Sequence, residues 1–278
     1  MILIRECEGL EELEACVQLQ VETWGYDATD LMPRKAFLVM QKSGGQVMGA
    51  FDTDLHHADG RGDANSMIGF ALSLPGVKGG EKFPDGEPRP YLHSHMLAVK
   101  EAYRNRGIGA KLKLAQRDEA LSRGIRHMEW TFDPLEIKNA FLNIHKLGAV
   151  VCEYRENFYG VSSSRLQGGL PTDRLLAEWY LDSERVRATV EGRAVVVPSI
   201  EARITVPASI YEWKSSERDR GRAFAVQLEN RRRFQQAFSR GLAVVGFERD
   251  AEGNGIFELG DPTRLAAGIQ AFQGKVRI

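Results

Sequence analysis

The run Arg104-Asn105-Arg106-Gly107-Ile108-Gly109-Ala110 carries the clearest chemical signal in this 278-residue chain. Glycines at 107 and 109 remove side chains, so successive backbone N–H groups can converge on one ligand. The apolar spacing of Ile108, Leu112 and Ala115 predicts a helix from about 108 to 123, with Gly124 as its stop. A helix start adds unpaired donors and the positive end of a dipole. Arg104 and Arg106 add charge. The chemistry this favours is anion binding, and a pyrophosphate is the natural fit. A strand over Tyr91 to Val99 must deliver the chain to that turn.

Two other phosphate loops do not fit. The pattern Gly-x-Gly-x-x-Gly fails because Leu112 stands at the third glycine, and no Gly-x4-Gly-Lys-Ser/Thr occurs. What stands here is Arg-x-x-Gly-x-Gly between a strand ending in LAV and a helix, followed by a strand and the helix NAFLNIHKLG. This resembles the coenzyme-A pyrophosphate loop of the GCN5-related N-acetyltransferase (GNAT) superfamily. With YLHSHMLAV and WTFDPL, the resemblance covers roughly residues 1 to 182 and is similar to a subgroup of predicted acetyltransferases.

The resemblance implies a fold, a cosubstrate and a reaction. The fold is α+β (mixed α/β), a central mixed sheet flanked by helices. Acetyl-CoA is the expected cosubstrate, with no metal. Leu97, Ala98 and Val99 match the strand whose main chain holds the acyl-pantetheine arm. Arg104, Asn105, Arg106, Gly107, Ile108, Gly109 and Ala110 match the pyrophosphate seat. Asn139 matches a helix position that often touches the coenzyme, or else is a plain helix-start or solvent-facing amide. The reaction implied is direct transfer of the acetyl group to an amine of a small molecule or peptide in a ternary complex. A donor longer than acetyl stays open.

Acyl transfer to an amine needs a base, because a free alkylamine is protonated at neutral pH. His93 and His95 are expected to alternate with Leu97 on one strand face, each as a base or as a core histidine. Ser94, facing the other way, is a candidate to hold a water. Glu129 on the next strand is the carboxylate alternative. Asp133 before Pro134 is expected to cap the following helix or to bind a cationic substrate. Many relatives protonate the leaving thiolate with a tyrosine about four residues before the glycine ending the NAFLNIHKLG-type helix, but this chain has Ile144 there. His145 is one position off that face, and Tyr154 or Tyr159 is the substitute. Trp24 and Tyr26 stand where relatives build the acceptor pocket, and equally where plain core would be. The departure at Ile144 keeps a second function open: a CoA-binding regulatory or interaction protein without turnover.

Composition bounds these readings. The 37 basic and 38 acidic residues give a net charge of −1, which argues against bulk nucleic-acid binding and a polybasic membrane anchor. Three scattered cysteines, Cys7, Cys16 and Cys152, fit neither a disulfide framework nor a zinc knuckle. No secretory signal and no membrane span is expected, so the location read from the sequence is cytoplasmic. Adjacent histidines His56 and His57 point apart in an extended loop and predict no metal. A homodimer stays open.

The elements expected first are a strand Ile2–Arg5, helices Glu11–Val21 and Arg34–Lys42, and strands Val47–Asp52 and Met67–Pro75. A Gly/Pro-dense loop follows from Pro75 to Pro90, either a binding loop or a surface excursion. After the strand and helix of the anion-binding run come a strand His127–Phe132, a helix Leu135–Leu147 and strands Ala149–Tyr154 and Leu175–Leu181. The sequence predicts two domains, 1–185 and an additional C-terminal α+β domain over 186–278. The latter is read as strands Val186–Val190, Ala194–Val197 and Ala202–Val206, a helix Ser216–Arg240 and a hairpin Leu242–Phe247 with Gly255–Leu259. Its NRRRF run reads as a solvated or domain-packing face. FQQAFSRGLAVVGFERD echoes FLNIHKLGAVVCEYREN in plan, read as shared helix-turn-strand grammar.

Overall fold

The computed structural model describes residues 1–55, 62–79, 87–195 and 198–265. The expected mixed α/β fold with an extra C-terminal region is present. Two compact units divide the chain: 1–76, 90–126 and 163–165 form the first, and 77–89, 127–162 and 166–278 the second. The expected boundary at 185–186 falls inside the second unit.

Strands β1 (Ile2–Glu6), β2 (Gln46–Asp52), β3 (Met67–Lys78) and β4 (Arg89–Val99) lie side by side in chain order, and all of them belong to the first unit except residues 77, 78 and 89 at the ends of β3 and β4. Helices α1 (Gly9–Trp24) and α2 (Arg34–Lys42) cover one face, and α3 (Ile108–Ser122) belongs to the other. Gly25 ends α1 at φ 67°, and its N–H reaches the Val21 carbonyl at 2.9 Å. Phe37, Phe51 and Phe70 are fully buried with Leu13 and Leu19 on the α1–α2 side. Met48, Ala50 and Ile68 meet Ile108 and Leu112 on the α3 side.

The second unit contains β5 (His127–Phe132), α4 (Ile137–Ala140), β6 (Val150–Arg155), β7 (Arg174–Tyr180), α5 (Glu184–Val190), β8 (Ile200–Val206), α6 (Ile210–Ser215), α7 (Arg220–Ser239), β9 (Ala243–Arg249) and β10 (Gly255–Gly260). Its strand order is β5-β7-β6-β9-β10-β8. Trp179 is fully buried, with its indole N–H donating to the Leu147 carbonyl at 2.7 Å. Burying such a ring contributes about 2–3 kcal/mol, and the bond removes the cost of burying the N–H.

Three expectations are corrected. Val186–Val190 is helical within α5, because the Ser183 hydroxyl accepts the Val186 N–H and caps the helix. The long helix over 216–240 is α7 alone, preceded by a separate α6 and broken at Ser216, whose backbone is extended. The helix Leu135–Leu147 is a short α4 that passes into a π-helix over Phe141–Lys146. Of the strand expected at Ala194–Val197, 194 and 195 lie in no element and 196–197 lie outside the described residues.

The second unit repeats one layout. Strand, helix, strand, strand occurs as β5-α4-β6-β7 and again as β8-α7-β9-β10, with α6 as an addition. The sheet order is palindromic about β6 and β9, which meet antiparallel at Val151 and Val244. Those two valines occupy the same place in the two echoed sequences. Gly148 and Gly241, at φ 73° and 80°, end the two helices in the left-handed conformation. The echo is therefore a repeated strand-helix-strand-strand layout. Arg185 on α5 joins the halves: its buried guanidinium donates to the Gly148 carbonyl at 2.9 Å and the Val245 carbonyl at 2.8 Å.

Candidate functional site

The glycine-rich run opens α3 as expected. Asn105 and Gly107 have φ 62° and 76°, two left-handed residues flanking Arg106. Such alternation curls consecutive amides around a common point, an anion nest. The Arg104 N–H bonds the Glu101 carbonyl at 3.1 Å, and the Lys111 N–H bonds Gly107 at 3.1 Å. Among the described residues, no backbone carbonyl outside α3 receives the amides between them. A Cβ built on Gly107 meets nothing within 4 Å. The nest is thus open and made of main chain. Both arginines are partly engaged locally: Arg104 Nε donates to the Val99 carbonyl at 3.1 Å, and Arg106 lies 5.3 Å from the Tyr103 ring centre. The Tyr103 hydroxyl donates to Asp52 at 2.8 Å, tying the turn to the end of β2.

Strand β4 changes face just before this turn. Ser94 bonds to α3 side chains, yet Met96 and Ala98 pack in the cluster on the α1–α2 side. Leu97 and Val99 pack on the α3 side. Residues two apart share a face in a regular strand, so the pleat is interrupted between 94 and 96. His93, His95 and Leu97 therefore do not form one alternating face, contrary to expectation. His95 stands at the interruption. It is exposed by surface area, while the protein atoms around its ring lower its pKa by desolvation. His93 is half-buried, 6.1 Å from it between ring centres.

A buried polar network holds α3 to the sheet, and sequence reasoning did not find it. Lys113 Nζ donates to Ser94 Oγ at 2.7 Å, and Ser94 donates to Gln116 Oε1 at 2.9 Å. Gln46 donates to the Gln116 carbonyl at 2.8 Å and to Glu119. Burial pushes the Lys113 ammonium well below the usual lysine range. Lys113 directly follows Leu112 on the buried side of α3, which was the available signal. Ser94 Oγ is engaged on both sides within this network.

In the second unit, one face of β5 and β7 is polar. Glu129 is directly opposite Glu178, and His127 opposite Tyr180. Lys78 forms an ion pair with Glu129, and the Cys152 thiol donates to Glu178 at 3.3 Å. Thr131 Oγ1 lies 2.8 Å from the hydroxyl of Tyr159, whose side chain is exposed. Only Glu129 and Tyr159 of this group were expected. His127, Glu178 and Cys152 meet through strand pairing.

Asp133 caps the next turn, accepting the Leu135 N–H at 2.8 Å, and Lys214 fills the place of a cationic ligand at 2.8 Å. Burial raises the Asp133 pKa, but the Lys214 and Arg174 charges overcome it and hold the carboxyl below its ordinary value. Asn139 is exposed on α4. Ile144 is buried, and His145 stacks on Phe141 at 4.5 Å. Tyr154 is removed as an acid: its hydroxyl donates to Asp173 at 2.6 Å, and burial with that carboxylate raises its pKa. Trp24 stacks on Tyr26 at 5.3 Å, and both pack against the α1–α2 core. His56 and His57 lie outside the described residues, as do residues 80–86 of the Gly/Pro-dense loop.

No helix among the described residues is long and apolar enough to cross a membrane. Residues 13–145 match the acetyltransferase (GNAT) family. The ribosomal-protein-S18-alanine N-acetyltransferase from Escherichia coli is similar at 16% identity and a TM-score of 0.46, over 65% of this chain and 94% of that one. Arabidopsis thaliana NAA60 in complex with acetyl-CoA is similar at 16% identity and a TM-score of 0.49, over 65% of this chain and 99% of that one. No curated protein matches the chain.

Proposed function

We propose that this chain, which carries an acetyltransferase (GNAT) family domain over residues 13–145, transfers the acetyl group of acetyl-CoA to an amine of a small molecule or peptide. The observation that carries the reading is the open main-chain nest at Asn105–Gly107 ahead of α3. Two linked phosphates suit it, because backbone donors and the helix dipole both favour a compact polyanion. The strand positions Leu97, Ala98 and Val99 would carry the pantetheine arm. The amides of Asn105 to Ala110, with the charges of Arg104 and Arg106, would hold the pyrophosphate.

His95 is the favoured base, ahead of His93 and Glu129. It is exposed, and its lowered pKa keeps the imidazole neutral at pH 7 and able to take a proton. Glu129 is committed to its ion pair with Lys78. Removing the ammonium proton frees the nitrogen lone pair to attack the thioester carbonyl. Main-chain N–H groups stabilise the resulting oxyanion, and the C–S bond then breaks. The departing thiolate would take its proton from water.

Gly107→Glu tests the seat. Its side chain and charge would occupy the phosphate position, and calorimetry should show coenzyme A binding abolished in a variant with unchanged circular dichroism. Unchanged affinity refutes the assignment. His95→Gln tests the base: kcat should fall by about 10²–10⁴-fold with binding of coenzyme A retained. In the wild type, protonating His95 removes the base, so kcat/KM should fall as pH drops below the ordinary histidine value of about 6.5. Turnover unchanged in a folded His95→Gln variant would rule His95 out.

The buried Ile144 at the position of the usual tyrosine favours a second reading, a CoA-binding protein without turnover. Free thiol released from acetyl-CoA across a panel of amines decides against it. Tight binding with no thiol release on any amine decides for it.

A further inference from the structure

We propose that His127, Glu129 and Glu178, with the Cys152 thiol beside them, bind one zinc-class divalent cation, and that Lys78 competes with that ion. The site lies wholly within the second unit and does not depend on the acetyl-transfer reading.

Three neighbouring strands supply the ligands. His127 and Glu129 are alternate residues of β5 and share a face. Strand β7 sets Glu178 opposite Glu129. Strand β6 brings Cys152 to Glu178. One ligand atom from each of His127, Glu129 and Glu178 lies within 4.8 Å of the other two. His127 Nε2 and Glu178 Oε1 are 4.0 Å apart, too far for a hydrogen bond. Two ligands each about 2.1 Å from a tetrahedral zinc ion stand roughly 3.4 Å apart, so this pair would close by about half an ångström around the ion. The spacing therefore suits an ion between the side chains better than a direct bond.

The ligands are held still. The Tyr180 ring stacks on His127 at 5.0 Å with 18° between planes. The side chains of Glu178, Glu129 and His127 are 3%, 9% and 11% exposed. Two carboxylates facing each other with so little water form a like-charge pair that a nearby cation stabilises. Lys78 places its ammonium on Glu129. A divalent ion would take that place at higher charge, and the long lysine chain would withdraw from it. One imidazole, one thiol and two carboxylates favour zinc over magnesium or calcium, which prefer oxygen alone. Ligation by Cys152 would release its thiol proton.

The test uses the full chain, stripped with a chelator and titrated with Zn²⁺ and with Co²⁺. One equivalent of zinc should bind. Cobalt should give visible d–d bands and a near-ultraviolet thiolate charge-transfer band, both erased by zinc. Cys152→Ser should lose only the thiolate band. His127→Gln and Glu178→Gln should each weaken binding about tenfold or more, while Lys78→Met should tighten it about 10–100-fold. Lys78→Met removes no ligand, so it keeps the idea testable if ligand variants misfold. Absence of saturable binding in both the wild type and Lys78→Met overturns the site. So does binding unchanged in folded His127→Gln and Glu178→Gln, because the ion would then sit elsewhere.

Discussion

The two halves of the second unit share a layout and differ in what they do with charge. In the first, the paired strands β5 and β7 set Glu129 against Glu178, both buried. In the second, β8 and β10 set Arg203 against Glu258, joined at 3.0 Å, with Arg203 57% exposed. An opposite-charge cross-strand pair is ordinary sheet chemistry, whereas like charges directly opposite cost stability. The costly arrangement occurs in the half that also carries His127, Cys152, Thr131 and Tyr159. The same scaffold thus gathers titratable and nucleophilic side chains in one copy and an ordinary ion pair in the other.

If the second half supports the first, cutting the support must be felt in the first. Lys214 of α6 reaches across to Asp133 and Glu136, at 2.8 Å from each, and is 6% exposed. Lys214→Met leaves the buried Asp133 and the partly buried Glu136 without their shared cation and should cost about 3–5 kcal/mol of stability. Denaturant unfolding measures it. The pH dependence gives the sign. With Lys214 gone, Asp133 keeps only Arg174 and the Leu135 N–H against its burial, while burial and the Asp133 charge raise the Glu136 pKa further, so both carboxyls move upward. A raised carboxyl pKa penalises the folded state above it and ceases to do so once the group is protonated. The deficit should therefore shrink as pH falls toward about 4. A deficit under about 1 kcal/mol, or one growing with acidity, would mean the halves are joined by other contacts.

How much of this was legible in the sequence follows from how each part is built. The nest at Arg104–Ala110 is local, and glycine leaves a visible trace where the backbone must turn left-handed. Helix α2 and strand β5 fall on the residues expected, because their apolar periods are clear. The Glu129–Glu178 pair was hidden because 49 residues separate its members and only strand register joins them. The interruption of β4 at His95 and the π-helix after Ala140 are single-residue irregularities that periodicity does not register. Helix α5 was misread because its β-branched valines and threonine outweighed one capping serine. The repeat was visible as an echo, but only the palindromic strand order shows it to be architecture.

Two isosteric changes sharpen the comparison, and their signs should be opposite. Glu178→Gln removes one of two facing carboxylates while keeping an oxygen for the Cys152 thiol. The metal-free protein should become more stable by about 0.2–1 kcal/mol, seen as a raised Tm. Glu258→Gln removes one partner of the Arg203 pair, in which Glu258 is 16% exposed. That change should destabilise by at most about 1 kcal/mol and by less at high salt, since an exposed pair is screened. If Glu258→Gln instead stabilised the chain, or Glu178→Gln cost as much as Lys214→Met, the division into a chemical half and a supporting half would fail. The second half would then hold a strained charge arrangement of its own, and Arg203 would be the place to look for its ligand.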